Sequence, residues 1–335
     1  MTTLNKILNG KELSCKPVWF MRQAGRYLPE FREIRKLNPN FIKLCLNKEL
    51  SSEITLQPIK RFDLDAAIIF SDILIIPFAL GQTVNFHKND GPILSEFSLE
   101  RFLNFDKKIF LKNLEPVYES IKITRKKLDD NKSLISFVGA PWTLLVYMLG
   151  LKKNKNEIST TQLNKHKKNL DTILSNLNSF LCLHIEKQIE AGSDVVQIFD
   201  SWAGLISEDS LDKYCFKPNR NLVDFCKSKN IPSICFPKGI KKNYQQFNNI
   251  VMPSGLNIDY DLDPAWARSN LKNVVIQGGM NPNTLIKTEK EIIYQAKKYL
   301  DIFKDVPYIF NLGHGLIPET DPNKLKKLVE FVRKY

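Results

Sequence analysis

Two arginines four residues apart, Arg22 and Arg26, are the first side chains in the sequence whose spacing suggests chemistry. In a helical turn that spacing places both guanidinium groups on one face, where each grips a carboxylate through paired N–H bonds. Arg32 and Arg35 follow in the same stretch, with Glu30 and Glu33 as competing structural partners. Asp72 lies between two apolar runs, so its carboxylate needs a donor or a cation. It either caps a helix together with Ser71, or accepts N–H groups from a ligand and offsets positive charge formed during a reaction. His314 sits between Gly313 and Gly315, which gives its backbone and ring close access to a ligand. Tyr147 offers a phenolic hydrogen bond, though Thr143 and Leu144 at helical spacing allow a structural role as well. Ser201 lacks the GxSxG elbow, so it reads as a hydrogen-bonding residue and not a nucleophile.

Metal chemistry finds little support. There is no HxH or HExxH, and Cys182 and His184 would point to different faces of a helix. Asp259, Asp261 and Asp263 alternate like a calcium loop, but Pro264 stands where that motif wants Gly and Asn270 where it wants Glu, so they read as surface or turn aspartates. Lys238, after an apolar run, is either an anion contact or a Schiff-base lysine.

Positioning these groups together requires several strand ends to converge. Apolar runs bounded by Gly, Pro, Asp or Asn occur at 17–21, 66–70, 134–138, 194–199, 232–236, 255–258, 274–277 and 307–311. Most gaps between them hold helical periodicity, as at 171–191, where Asp171 reads as the cap. The long gap after the second run leaves room for extra helices at 99–128. Eight strands alternating with helices predict an α/β protein, a single (β/α)8 TIM-type barrel over residues 1–335, with its cleft at the C-terminal ends of the strands. A doubly wound sheet is the weaker alternative, since no strand is followed by a phosphate-binding glycine loop.

The 335 residues are 43% hydrophobic and 25% charged, and no apolar run is long enough for a membrane span. Lysine and arginine outnumber aspartate and glutamate 49 to 36, for a net charge of +13. Such an excess favours an anionic partner, nucleic acid or a polycarboxylate among them, although much of it is lysine interleaved with asparagine in 152–168, which reads as a solvated, mobile face. Residues 1–10 resemble neither a signal peptide nor a transit peptide, which predicts a cytoplasmic location. The six cysteines form no CxxC and read as reduced, mostly buried thiols. A Schiff-base or metal-dependent barrel enzyme and a polyanion-binding protein remain as other classes, but neither explains polar residues at several strand ends.

The sequence Pro17-Val18-Trp19-Phe20-Met21-Arg22-Gln23-Ala24-Gly25-Arg26-Tyr27-Leu28-Pro29-Glu30-Phe31 resembles the uroporphyrinogen decarboxylase family. The likeness continues through Ile69-Phe70-Ser71-Asp72-Ile73-Leu74, Gly139-Ala140-Pro141-Trp142-Thr143, Phe199-Asp200-Ser201-Trp202-Ala203-Gly204, Asp263-Pro264-Ala265 and Asn311-Leu312-Gly313-His314-Gly315. Gly278-Gly279-Met280-Asn281-Pro282 is a looser match, and Phe78 stands where members often carry a polar residue. The resemblance implies a (β/α)8 barrel, a homodimer, no metal or organic cofactor and no nucleic-acid partner. It also implies stepwise loss of acetate carboxyl groups from a tetrapyrrole in haem and chlorophyll biosynthesis. By the same likeness Arg22, Arg26 and Arg35 bind acetate and propionate groups, and Asp72 accepts the pyrrole N–H groups. Tyr147, Ser201 and His314 contact substrate, with Asp72, Arg22 and Tyr147 taking the catalytic roles. The absence of an HxC motif, and of any cysteine after Cys235, separates the chain from zinc-dependent methyltransferases of the wider superfamily.

Overall fold

A computed structural model describes residues 1–11, 16–87, 91–154 and 157–335. In chain order the strands are β1 (Ala66–Ile68), β2 (Val84–His87), β3 (Gly91–Leu94), β4 (Ser133–Gly139), β5 (Lys152–Asn154), β6 (Glu157–Ile158), β7 (Val195–Asp200), β8 (Ser233–Pro237), β9 (Gly255–Ile258), β10 (Val275–Gly278) and β11 (Tyr308–Ile309). Seven of them form one sheet in the order β1-β4-β7-β8-β9-β10-β11, every pairing parallel. Two antiparallel hairpins, β2–β3 and β5–β6, stand apart from it.

The run at 17–21, read as an eighth strand, makes only an isolated bridge between Val18 and Phe310. Pro17 has no N–H to give, and the chain turns at Met21, so no longer ladder forms. Val18 nevertheless meets both edges of the sheet. Trp19 N–H donates to the Phe310 carbonyl, while Asp65, just before β1, donates to the Val18 carbonyl and accepts the Val18 N–H. The sheet is therefore curled, its first and last strands flanking one segment.

Alternation along the strands divides the core in two. Val196 and Ile198 face the surrounding helices, while Val195, Ile135, Ile234, Val275 and Ile309 face inward. The helix Thr3–Leu8 closes the N-terminal end of this interior: Leu4 and Ile7 are fully buried against the inward residues, and the Thr2 hydroxyl meets that of Ser133 at the start of β4. One step further along the strands the inward residues are amides. Gln277 accepts from the Trp19 indole at 3.0 Å and donates to Asn257 at 2.9 Å and Gln197 at 3.2 Å, all four side chains fully buried. Because each amide has its partners, this polar layer is compatible with a dry interior.

The extra helices expected at 99–128 are Leu99–Leu103 and Lys107–Lys127, the latter capped by Asp106. The helix read from 171 runs Leu170–Glu190 and buries Ile173, Leu174, Leu177, Leu181 and Ile185, but its N-cap is Asn169; Asp171 lies in the first turn and pairs with Lys213. The lysine- and asparagine-rich segment forms the β5–β6 hairpin and the helix Thr160–His166, its residues 155 and 156 lying outside the described part, as does Cys15. Five described cysteines are unpaired, with Cys45, Cys215, Cys226 and Cys235 buried. Among the described residues no helix is long and apolar enough to cross a membrane.

Candidate active site at the C-terminal strand ends

Arg22 is not in a helix, contrary to the spacing argument. The helix begins at Pro29, and residues 21–28 are a succession of turns. Arg22 itself has φ 60°, a left-handed conformation that costs a non-glycine residue about 1–3 kcal/mol and persists only where its surroundings impose it. Here they do. The fully buried Gln23 side chain accepts from Phe20 N–H and donates to the Ala66 carbonyl, and its own carbonyl accepts the Tyr27 hydroxyl at 2.7 Å. On the other side Met21 N–H donates to Asn311 Oδ1, and the Met21 carbonyl accepts from Leu316 N–H. The loop is thus clamped on both flanks, and Arg22 is the residue left to present its side chain.

The glycines around His314 serve packing between parts of the chain, not access for a ligand as their position suggested. A Cβ on Gly315 would lie 2.4 Å from Arg22 Cδ, and one on Gly313 would lie 2.3 Å from the Tyr260 nitrogen. Gly315 therefore seats the arginine stem, and its N–H donates to His314 Nδ1 at 2.8 Å. That bond leaves the ring proton on Nε2. Burial, with Arg22 and Lys238 nearby, pulls the His314 pKa down to about 3, so the ring is a neutral N–H donor at physiological pH.

Asp72 is half-buried, and its Oδ1 accepts the Leu74 N–H at 2.8 Å in a turn that leads into the short helix Ile75–Ala79, whose N-cap is Leu74. The capping alternative is thus met only as a local turn, and Oδ2 has no protein donor among the described residues. Burial pushes the carboxyl pKa up to about 6, opposed by the Leu74 N–H and the positive charge of Arg22. Tyr147, on the helix Pro141–Met148, has its pKa raised by burial and by the charge of Asp72, opposed by a hydrogen bond from the Trp202 side chain and by the charge of Arg22. Asp72, Tyr147 and His314 accordingly each sense the charge of Arg22.

Glu30, proposed as a partner for the arginines, is taken by Arg61 through two 2.9 Å bonds, and among the described residues Arg22 and Arg26 pair with no carboxylate. Arg26 is exposed on the same loop. Arg35 is half-buried 5.6 Å over the Phe41 ring, and its charge and that of Asp72 both reach Cys45. Ser201 is half-buried in the turn after β7, beside Trp202.

Beneath this group lies a support that motif reading left unassigned. Asp200, fully buried at the end of β7, accepts Thr143 Oγ at 2.7 Å and Asn219 Nδ2 at 3.0 Å, and burial raises its pKa to about 6. Thr143 Oγ in turn accepts the Trp202 N–H, and the Trp202 ring meets Tyr147 edge-to-face at 6.0 Å. Asn219 reaches Asp200 just beyond a π-helical turn at Asp212–Phe216, an irregularity frequent at functional sites. The signal in the sequence was Thr143 and Asp200 at the exits of two runs, but their contact follows from β4 and β7 being neighbours, which spacing alone does not give. Asp259 meets the turn half of its reading and not the surface half: Oδ1 accepts Asp261 N–H and Leu262 N–H, but the residue is buried and Oδ2 accepts Gly239 N–H and the Tyr244 hydroxyl, tying the loop after β8 to that after β9. Asp263 caps the next helix. His184 is a satisfied core residue, bonded to Tyr118 and Gln188.

The residues near these strand ends offer cations, a carboxylate with an acceptor oxygen that no described protein donor engages, a phenol and a neutral imidazole N–H. A family model for uroporphyrinogen decarboxylase (URO-D) matches residues 1–335. Uroporphyrinogen decarboxylase of Orientia tsutsugamushi (strain Ikeda) is 41% identical over 343 aligned positions, covering 100% of this chain and 99% of the relative. That of Wolbachia pipientis wMel is 39% identical over 337, covering 100% and 98%. Among solved structures, a methyltransferase from Methanosarcina mazei superposes with a TM-score of 0.80 at 19% identity, over 99% of this chain and 97% of its own, a likeness of fold. Similarity to these decarboxylases from end to end makes the chain a member of the uroporphyrinogen decarboxylase family.

Proposed function

We propose that the protein decarboxylates uroporphyrinogen III, removing its four acetate carboxyl groups as CO2 to leave coproporphyrinogen III in tetrapyrrole biosynthesis. The observation that carries this reading is Asp72: a half-buried carboxylate with one oxygen fixed by Leu74 N–H and the other available, beside Arg22. Such a group accepts the pyrrole N–H donors at the centre of the macrocycle, while Arg22, Arg26 and Arg35 bind its peripheral carboxylates. Tyr147, Ser201 and His314 Nε2–H complete the contacts.

The reaction needs no cofactor because the pyrrole is its own electron sink. A proton adds to the ring carbon next to the one bearing the acetate arm, giving a cationic, imine-like ring. The C–CO2 bond then breaks, its electron pair enters the ring as an exocyclic double bond, and CO2 leaves. A second proton makes the methyl group, and loss of the first restores the aromatic pyrrole. Asp72 places negative charge where the cation develops.

As part of the same proposal, residues 1–335 form one domain, with the segment at 17–21 completing the curled sheet as an eight-stranded barrel. Contacts of Val18 with both sheet edges support this. The homodimer and cytoplasmic location implied by the family also belong to it, and unpaired cysteines suit a reducing compartment.

The test is anaerobic incubation of the purified protein with uroporphyrinogen III, then oxidation and chromatography to count the remaining carboxyl groups. Stepwise loss of four supports the reading; unchanged substrate with folded protein overturns it. The pH dependence adds a check. Asp72 must be ionised to act, and in the free site it takes up a proton as pH falls through about 6. The expected result is a kcat/KM that falls about tenfold per pH unit below that point. A profile flat down to pH 5 would remove Asp72 from the essential groups.

A further inference from the structure

Lys152, the first residue of β5, has its ammonium 5.0 Å over the Trp202 ring. Trp202 lies edge-to-face on Tyr147, which senses Asp72 and Arg22, so this lysine is one ring away from the candidate site. The pairing of this hairpin is irregular between Lys152 and Asn154, and the next two residues are engaged: Lys153 pairs with Glu157 at 3.2 Å, and Asn154 bonds the same carboxylate. The acid on the facing strand is thus taken, and Lys152 pairs with no carboxylate among the described residues. Its position is set from below. Leu151 is fully buried, its N–H donates to the Val146 carbonyl on the helix that carries Tyr147, and its carbonyl accepts from Ser159 N–H. The hairpin base and Tyr147 therefore share one support.

A lone cation resting on an aromatic face is weakly held and exchanges readily for a carboxylate. We propose that Lys152 is a specificity-determining residue that binds a peripheral carboxylate of the polycarboxylate substrate, leaving the Trp202 ring to do so. This rests on the function proposed above. It follows from a count of charge: the macrocycle enters with an acetate and a propionate on each of four rings, more carboxylates than Arg22, Arg26 and Arg35 can serve.

The test compares wild type with Lys152→Met, which keeps an unbranched apolar stem on Trp202 and removes the charge, and with Lys152→Arg, which restores a cation. Binding of the oxidised octacarboxylate uroporphyrin is followed by quenching of its fluorescence at low and high salt, and turnover of uroporphyrinogen III is measured in parallel. Lys152→Met is expected to raise Kd and KM about 3–10-fold at low salt, to flatten their salt dependence, and to leave kcat within about twofold, with Lys152→Arg close to wild type. Equal Kd and equal salt dependence in wild type and Lys152→Met overturn the assignment, as does a loss of kcat at unchanged Kd. Absence of turnover in wild type would instead overturn the proposed reaction, and the binding comparison would still decide the role of Lys152 in holding a polycarboxylate.

Discussion

Asp72→Asn is expected to lower kcat by about 10²–10³-fold while Kd for substrate changes by no more than a few-fold, because charge aimed at a developing cation matters most in the transition state. Asn keeps an acceptor for the Leu74 N–H, so the local turn survives. The same substitution is expected to leave the protein as stable as before at neutral pH, or more so. The sign follows from the raised carboxyl pKa: the folded state binds a proton more tightly than the unfolded chain, so ionisation costs stability as pH rises from the ordinary carboxyl value through about 6. Removing the charge relieves that cost, by about 1–2 kcal/mol for a group that is only half-buried. Single-turnover kinetics and thermal melting at pH 7 check both halves. Near-normal kcat would end the role assigned to Asp72, and a large drop in melting temperature would mean that the carboxylate is structural.

Arg22→Ala is expected to weaken binding of the polycarboxylate roughly 10–150-fold, the loss of about 1.5–3 kcal/mol from a charge-assisted hydrogen bond. A second effect separates this from simple loss of affinity. Arg22 opposes the rise of the Asp72 pKa and helps depress that of His314, so its removal moves the acid limb of kcat/KM to higher pH. Arg22→Lys keeps the charge and is expected to restore the pH profile more fully than the affinity, since an ammonium lacks the planar fork. Arg22→Gly controls for the backbone, because glycine adopts φ 60° without strain. An unchanged Kd in Arg22→Ala would remove the arginine from the binding site.

Much of this site was legible because buried parallel strands are apolar and the polar residue that ends such a run stands out. Asp72, Ser201 and His314 stand out that way as candidates, as does Lys238, whose charge acts on His314. What failed depended on residues far apart in the chain. The spacing of Arg22 and Arg26 suggested a helix, but the clamps on Gln23 and Met21 come from Ala66, Asn311 and Leu316, and they hold the loop open until Pro29. Glycines beside His314 suggested ligand access, yet the atoms that need their missing side chains belong to Arg22 and Tyr260. The run at 17–21 was apolar enough for a strand, but Pro17 and the turn at Met21 limit its pairing to one bridge. Asp259 lay in an alternating acidic run that resembled surface, and only the meeting of the loops after β8 and β9 shows why it is buried.

The N-terminal helix at one end of the sheet and the amide layer above it make the interior a cul-de-sac. On the proposed function, substrate, carbon dioxide and partly processed macrocycles then exchange at the C-terminal strand ends and not through the far end of the sheet. With one Asp72 proposed to serve four acetate arms, the ring would rotate within the cleft or step out and re-enter between reactions. On that proposal, exchange at the strand ends competes with bond breaking in setting how far a given macrocycle proceeds before another takes its place.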